Sequence, residues 1–547
     1  MLIRVKRKIH KLDEPILHDG HKRPVTRREF LGAGLISGSA MVMGDSLLMG
    51  LMSNPALAAT PASCGLDVRG AAKIPFIAFD LGGGANMAGS SVLVGGPGGQ
   101  LDFLSTAGYN KLGLPGDMIP GAPEATPSAT SDGFHVDSSF GLAQHSDSAY
   151  LRGMLAVTSP ATRANTNGFV IPARSDNDTG NNPHNPMYGI NKVGADGELL
   201  TLIGSRASVS GGRSMAPATM IDLSKQPTKI DRASDVTGLV DTGGLVGLLS
   251  EADASVVMES IERLSKAKLG IDGGSGAVNA TAVVKDLMHC GYLKTTANVT
   301  DFGNPAALDP FQDPDVTGLL GTGLTVDGLT ANLTDGFFEK VASVMKLCID
   351  GRAGAGTIEQ GGFDYHDGTR ATGERNDLRL GIGIGMCLEY AARKGKPVMI
   401  YVFSDGSLAS NGRVDDTVGG RGKGEWTGDN SSTAASWCFV YNPNGRPALL
   451  GGTPEEQAVH QQLGYMRSSA SVETAGTTPG ANNVNLLVEM IVLNYIALHM
   501  PGAGGPTYNS DLNTALTAAL GSHGLGSNLE RLVAFSGIVS GTIDNPI

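Results

Sequence analysis

The chain has 547 residues, 78 of them glycine and 27 proline, with a formal net charge of −12. A surface this acidic repels nucleic acid and anionic membranes and argues against either as a partner. The five cysteines are scattered, with no Cys-x-x-Cys pair and no disulfide framework, and the length allows one large α/β domain or two ordinary ones.

In chain order, the first feature is Thr26-Arg27-Arg28-Glu29-Phe30-Leu31, an arginine pair ahead of Phe-Leu. A Gly- and Met-rich apolar run from Gly32 to Met52 follows, and then Asn54-Pro55-Ala56-Leu57-Ala58-Ala59, where small residues alternate. Together these are the basic, apolar and Ala-x-Ala parts of a secretory signal in its twin-arginine form. The pattern predicts cleavage near Ala58, with export to the periplasm or beyond. A retained N-terminal anchor is the competing reading, and Asp45 and the Gly/Ser content weigh against it by diluting the run below a good spanning helix. Residues 59–547 then form a single domain. The twin-arginine route carries folded proteins, which points towards a metal or cofactor acquired inside the cell.

Ile74-Pro75-Phe76-Ile77-Ala78-Phe79-Asp80 predicts a buried strand delivering the turn Leu81-Gly82-Gly83-Gly84. A second strand is expected at Met154-Leu155-Ala156-Val157. The middle region, about 160–350, is loop-rich. Asn165 to Asn185 should be an exposed loop, with helical patches at Val256–Lys268, Ala280–Cys290 and Leu333–Cys348. Asn376 to Arg393 has helical periodicity and stops at Lys394-Gly395. The strand Val398 to Phe403 follows and runs out into Ser404-Asp405-Gly406, while Glu425 to Ser432 reads as a polar loop. Val484 to Met500 reads as a buried helix, because no basic flank accompanies it. Cys348 and Cys387 fall in apolar helical stretches as buried thiols.

A helix, a short connection and an apolar strand make half a βαβ unit and imply a parallel sheet with helices on its faces. The expected fold is therefore three-layer α/β/α with a mostly parallel central sheet. In such sheets functional side chains gather beyond the carboxyl ends of the strands, where Asp80 and Asp405 both fall.

The segment richest in chemistry is Gly361-Gly362-Phe363-Asp364-Tyr365-His366-Asp367-Gly368. Asp364 and His366 are two apart, so in extended backbone both project from one side. A carboxylate and an imidazole so placed can bind a divalent metal, and a turn with a capping histidine is the plain alternative. His145 and His184 are read as surface or satisfied core histidines.

The Gly-Gly-Phe-Asp-Tyr-His segment resembles the Gly-Gly-Trp-Asp-Thr-His signature of the bacterial family called domain of unknown function 1501. Members are commonly exported by the twin-arginine route and are placed with the alkaline phosphatase and sulfatase superfamily. The order of features is similar over about 350 residues, with Gly83-Gly84-Ala85-Asn86, Phe403-Ser404-Asp405 and Gly428-Asp429 in the corresponding places. The resemblance implies an alkaline phosphatase-like fold and one or two divalent metals (Zn, Mg, Mn or Ca). It implies Asp364 and His366 as ligands, Asp80, Asp405 and Asp429 as further ligands, and Ser90 as the nucleophile where the family usually has Thr. It also implies hydrolysis of a phosphate or sulfate ester of a small molecule or polymer. The chain departs from the pattern at Asn86, where the family has Asp, and at Ser404-Asp405-Gly406-Ser407-Leu408. It departs again at Asp429-Asn430-Ser431, where a family histidine is missing.

Two rival readings remain. Gly82, Gly84 and Ala88 loosely fit a dinucleotide-binding turn, but a helix must follow such a turn and residues 90–99 read as a short strand and a loop. The other rival is a non-catalytic envelope or extracellular binding or assembly protein that kept the fold and lost part of the metal site.

Overall fold

The computed structural model describes residues 72–175, 182–239, 305–475 and 478–547. The expected export signal, Cys64, Cys290 and the helical patches expected at Val256–Lys268 and Ala280–Cys290 lie outside them.

The elements that build the frame, in chain order, begin with strand β1 (Phe76–Gly82), helix α1 (Ala149–Val157) and strand β2 (Thr166–Pro172). Next come α2 (Met187–Lys192), β3 (Leu200–Gly204), β4 (Thr228–Lys229), α3 (Gly336–Ile349), β5 (Ala353–Gly361) and α4 (Ala371–Lys394). The last part supplies β6 (Val398–Ser404), β7 (Leu408–Asp415), β8 (Lys423–Asp429), β9 (Ala435–Tyr441), α5 (Val484–Leu498) and α6 (Tyr508–Leu520). Seven strands form one sheet in the order β2-β9-β6-β1-β5-β3-β4. The β1–β6, β1–β5, β5–β3 and β3–β4 pairs are parallel, and β9 runs antiparallel to both of its neighbours.

Alternation along β1 divides the core into two layers. Ile77, Phe79 and Leu81 join Tyr150 and Met154 of α1, Val341 of α3 and Leu378 of α4 on one face. Phe76 and Ala78 join Ile190 of α2, Ile491 of α5 and Leu512 of α6 on the other. With helices on both faces every position of β1 and β6 is buried, which is why both read as continuous apolar runs. The fold is thus the expected three-layer α/β/α arrangement. Helix α4 ends at Gly395 in the left-handed conformation, as Lys394-Gly395 suggests. Cys348 and Cys387 are buried free thiols, as is Cys438.

Three expectations fail, each for a local reason. Met154–Val157 is the end of helix α1, not a strand. Ser148 caps the helix by accepting from Leu151 N–H, and Tyr150, Leu151 and Met154 share its buried face. A run of four apolar residues carries too little period to tell the two apart. Among its described residues, Asn165–Asn185 is not an exposed loop, because it contains β2, buried throughout. Asn167 donates to Pro447 O at 2.8 Å and Asn185 to Ser210 O at 3.0 Å, so both are bonded inside. Glu425–Ser432 is mostly strand β8, which pairs antiparallel with β7 and buries Trp426 beneath Arg370.

Two helices meet at unusually small residues. A side chain at Gly381 of α4 would reach within 2.2 Å of Tyr150 O, and one at Gly153 of α1 within 2.5 Å of Leu378 O. Glycine is needed here for backbone-to-backbone approach of α1 and α4.

Helix α5 is buried along its length except at a few positions, as expected, and no helix among the described residues is long and apolar enough to cross a membrane. At its end, His499 accepts from Ile74 N–H through Nε2 at 3.0 Å, so the ring proton sits on Nδ1 and is donated to Tyr495 O at 2.8 Å. Burial holds its pKa down at about 4. The folded value lies below the ordinary 6.5, so its contribution to stability is present above pH 6.5 and is lost as pH falls through about 4. The stability advantage of wild type over His499→Gln is expected to shrink by about 3 kcal/mol between pH 7 and pH 4 in urea titrations. A constant difference across that range would overturn the assignment.

Candidate metal centre

The register of the three central strands makes the site possible. Leu81 pairs with Ser404 and Gly82 with Gly361, so β1, β6 and β5 end side by side. Their continuations, Gly83–Asn86, Asp405 and Gly362–His366, therefore emerge together at the carboxyl end of the sheet.

Burial alternates along the segment after β5. Phe363 is fully buried and donates its N–H to Gly82 O at 3.1 Å. Tyr365 is buried, donates its hydroxyl to Asp377 Oδ1 at 2.7 Å, and accepts from Asn86 N–H at 3.0 Å. With the two aromatics anchored inward, Asp364 and His366 both face outward. His366 Nε2 lies 2.7 Å from Asp364 Oδ1 and 3.5 Å from Oδ1 of Asp429, which ends β8. Each of the three residues offers a ligand atom, and these atoms lie within 4.8 Å of one another, a group that can hold a metal ion. The side chains are about one-third to three-fifths exposed, so the group opens to solvent.

Asp80 and Asp405 lie deeper and are both fully buried. Asp80 accepts from Ser214 N–H at 2.7 Å and from Ser214 Oγ–H at 3.1 Å. Burial, then the nearby Asp405 charge, pushes its pKa up to about 7 against those two bonds. Asp405 accepts from Gly83 N–H through Oδ1 at 2.8 Å. Its Oδ2 has no hydrogen bond, with Arg213 Nε 3.6 Å away. Ser404 Oγ accepts from Gly84 and Ala85 N–H and donates to Leu81 O. The end of β6 thus clamps the glycine turn. Gly83 has φ of +123°, and a Cβ there would stand 2.4 Å from Asp364 N, so the turn in turn supports the outward-facing pair.

Ser90 sits elsewhere. It is buried and accepts from Arg370 Nη2 at 2.7 Å and Asn86 Nδ2 at 3.0 Å. Arg370 itself is fully buried, paired with Glu374 at 3.0 Å and stacked over Trp426 at 4.4 Å. Of the six residues singled out from the sequence, Asp364, His366 and Asp429 come together, Asp80 and Asp405 form the buried pair below them, and Ser90 belongs to the Arg370 network. His184 is a core histidine, stacked on Phe403. His145 is likewise buried, its Nε2 2.8 Å from Met118 O.

A larger ionic network borders Arg370. Lys423, fully buried, reaches Glu374 at 3.0 Å and Asp147 at 3.1 Å. Arg152 binds the same two carboxylates, and Arg421 binds Asp147 at 2.6 Å. Burial opposes ionisation of Glu374, but Lys423, Arg370 and Arg152 outweigh it and hold the carboxyl at about 2. Reading the sequence missed this network together with Arg213 and Ser214. Only an acidic side chain on a strand end signals a place for them, and their own neighbours carry no pattern.

No family model matches this chain, and no curated protein matches it.

Proposed function

We propose that the protein is an exported, metal-dependent hydrolase of phosphate or sulfate esters, with Asp364, His366 and Asp429 holding the metal. The observation that carries this reading is the convergence of the three ligand atoms at the carboxyl end of the central strands. The donor set fits a divalent cation, since two carboxylates supply the charge and one imidazole supplies a borderline donor suited to Zn, Mn or a related metal. Three protein ligands leave coordination positions open to water and substrate, as catalytic sites require. When bound, the metal polarises a phosphoryl or sulfuryl oxygen and acidifies a bound water.

The residues around it do the rest. The inward Phe363 and Tyr365 fix the loop, so the ligand pair needs little rearrangement on binding. Partial exposure of all three ligands gives an ester access from solvent. Ser90, held by Arg370 and Asn86, stays in the interior, so water is the nucleophile this arrangement favours. The same burial of Ser90 favours the second reading, a binding or assembly protein of the cell envelope that retains the fold.

Metal content by mass spectrometry on protein recovered after export separates the two. The expected result is about one divalent metal per chain, lost in the Asp364→Ala/His366→Ala variant, with hydrolysis of aryl phosphate or sulfate falling at least ~100-fold in parallel. Metal-free wild-type protein that stays metal-free on titration with Zn, Mn, Mg and Ca would remove the hydrolase reading.

A further inference from the structure

The ligand group is made across two antiparallel segments, and the contact that sets their register lies close beside it. Gly368 N–H donates to Trp426 O at 2.9 Å, and Trp426 N–H donates to Thr369 O at 3.1 Å. Two residues of the ligand loop therefore oppose one residue of β8, and Gly368, the first of the two, has φ of +81°. This is the pattern of a glycine bulge, in which the extra residue takes a left-handed backbone. Three steps back from Thr369 lies His366, and three steps forward from Trp426 along β8 lies Asp429. The two side chains meet in consequence, with His366 Nε2 3.5 Å from Asp429 Oδ1. A slip of one residue would send the loop's outward side chains to the other face.

The β8 side of this contact is held by the Trp426 side chain. It is buried 4.4 Å beneath the Arg370 guanidinium, and its edges are hemmed in by main chain. A Cβ at Gly113 would stand 2.8 Å from the indole ring, and one at Gly373 3.3 Å from Nε1. Along its other edge β8 pairs with β7, where Ser410 stands opposite Trp426. The loop side is held just as closely. Arg370 follows Thr369 directly, and its N–H donates to Asp415 Oδ2, at the end of β7, at 3.0 Å. With Phe363 and Tyr365 anchoring the start of the loop and the bulge anchoring its end, Asp364 and His366 are fixed from both sides.

We infer that Gly368 and Trp426 are positioning residues of the metal centre. Neither side chain offers a ligand atom; the bulge they form sets the register that brings His366 to Asp429. The register stands on the hydrogen bonds alone, and its consequence for a cation rests on the proposed metal site.

The test compares Gly368→Val with Gly368→Asn in the full exported chain, titrated with Zn, Mn and Co(II). A Cβ at Gly368 meets nothing within 4 Å, so a side chain has room and the backbone preference is what differs. Valine is nearly barred from positive φ, whereas asparagine adopts it with little cost. Gly368→Val should bind each metal at least ~10-fold more weakly than wild type and change the Co(II) visible absorption, which reads coordination geometry. Gly368→Asn should restore most of the affinity and the wild-type spectrum. In chelator, hydrogen exchange at the Trp426 amide should rise at least ~10-fold in Gly368→Val and stay near wild type in Gly368→Asn. Circular dichroism establishes that each variant is folded. A folded Gly368→Val protein with wild-type affinity and spectrum would overturn the assignment, as would unchanged exchange at Trp426 or a Gly368→Asn protein as impaired as Gly368→Val. Wild type that takes up no metal removes the metal site instead, and the exchange result then decides the register by itself.

Discussion

Replacing Lys423 by methionine is expected to lower stability by about 3–5 kcal/mol, the usual cost of removing one partner from a buried ionic cluster. Lys423 has no exposed side-chain surface and stands between Asp147 and Glu374. Both carboxylates are ionised only because cations surround them: Arg152 and Arg421 on one side and Arg370 on the other. Methionine fills the space and removes the charge, so the loss reports electrostatics and not a cavity. The measurement is the urea midpoint of the folded domain at pH 7. A second substitution makes the cause explicit. Lys423→Met/Glu374→Gln removes a negative charge along with the positive one and is expected to recover part of the loss, as swaps of whole buried pairs often do. A loss below about 1 kcal/mol in the single variant would mean that the arginines alone balance the cluster.

The second large effect is expected at Gly83. An alanine there must hold φ near +123°, a region nearly closed to residues with a side chain, at a cost of about 1–3 kcal/mol. Its methyl group would also stand 2.4 Å from Asp364 N and 2.7 Å from Asp364 Cβ, where backbone cannot yield cheaply. Relief comes by moving the Asp364 segment outward, which separates Asp364 from Asp429. Gly83→Ala should therefore weaken metal binding by at least ~10-fold, equal to about 1.4 kcal/mol, while helix content stays the same. Calorimetric titration with Zn, Mn, Mg and Ca, beside circular dichroism, gives both readings. Wild-type affinity in a folded Gly83→Ala protein would show that the glycine turn does not position the ligands.

The parts of this fold that can be read from the residues alone are those whose local signal agrees with their tertiary setting. Strands β1 and β6 are buried on both faces, so they are apolar up to Asp80 and Ser404 near their ends, and α4 carries both a long period and a glycine stop. Helix α1 and strands β2 and β8 defeat such reading because tertiary partners override local chemistry. Asn167 in β2 is polar by type yet fully bonded inside, and Lys423 in β8 is charged yet buried against two acids. The site divides in the same way. Asp364 and His366 are visible as a pair because two residues of extended chain place them on one side. Nothing local marks Asp429 as their neighbour, since it arrives on a hairpin more than sixty residues later.

The place of β1 at the middle of the sheet has a consequence for how the chain is made. Its two neighbours begin at Ala353 and Val398, so both edges of Phe76–Gly82 wait for about 280 residues of further synthesis before either can be covered. At ~5–20 residues per second the nascent chain carries an unpaired segment, apolar but for Asp80, for roughly 15–60 s. Such a segment is a template for pairing with other chains. Folding of the sheet is therefore a late event dominated by distant contacts, and a slow one. The glycine turn, held by Asp405, takes shape only after that residue has been added.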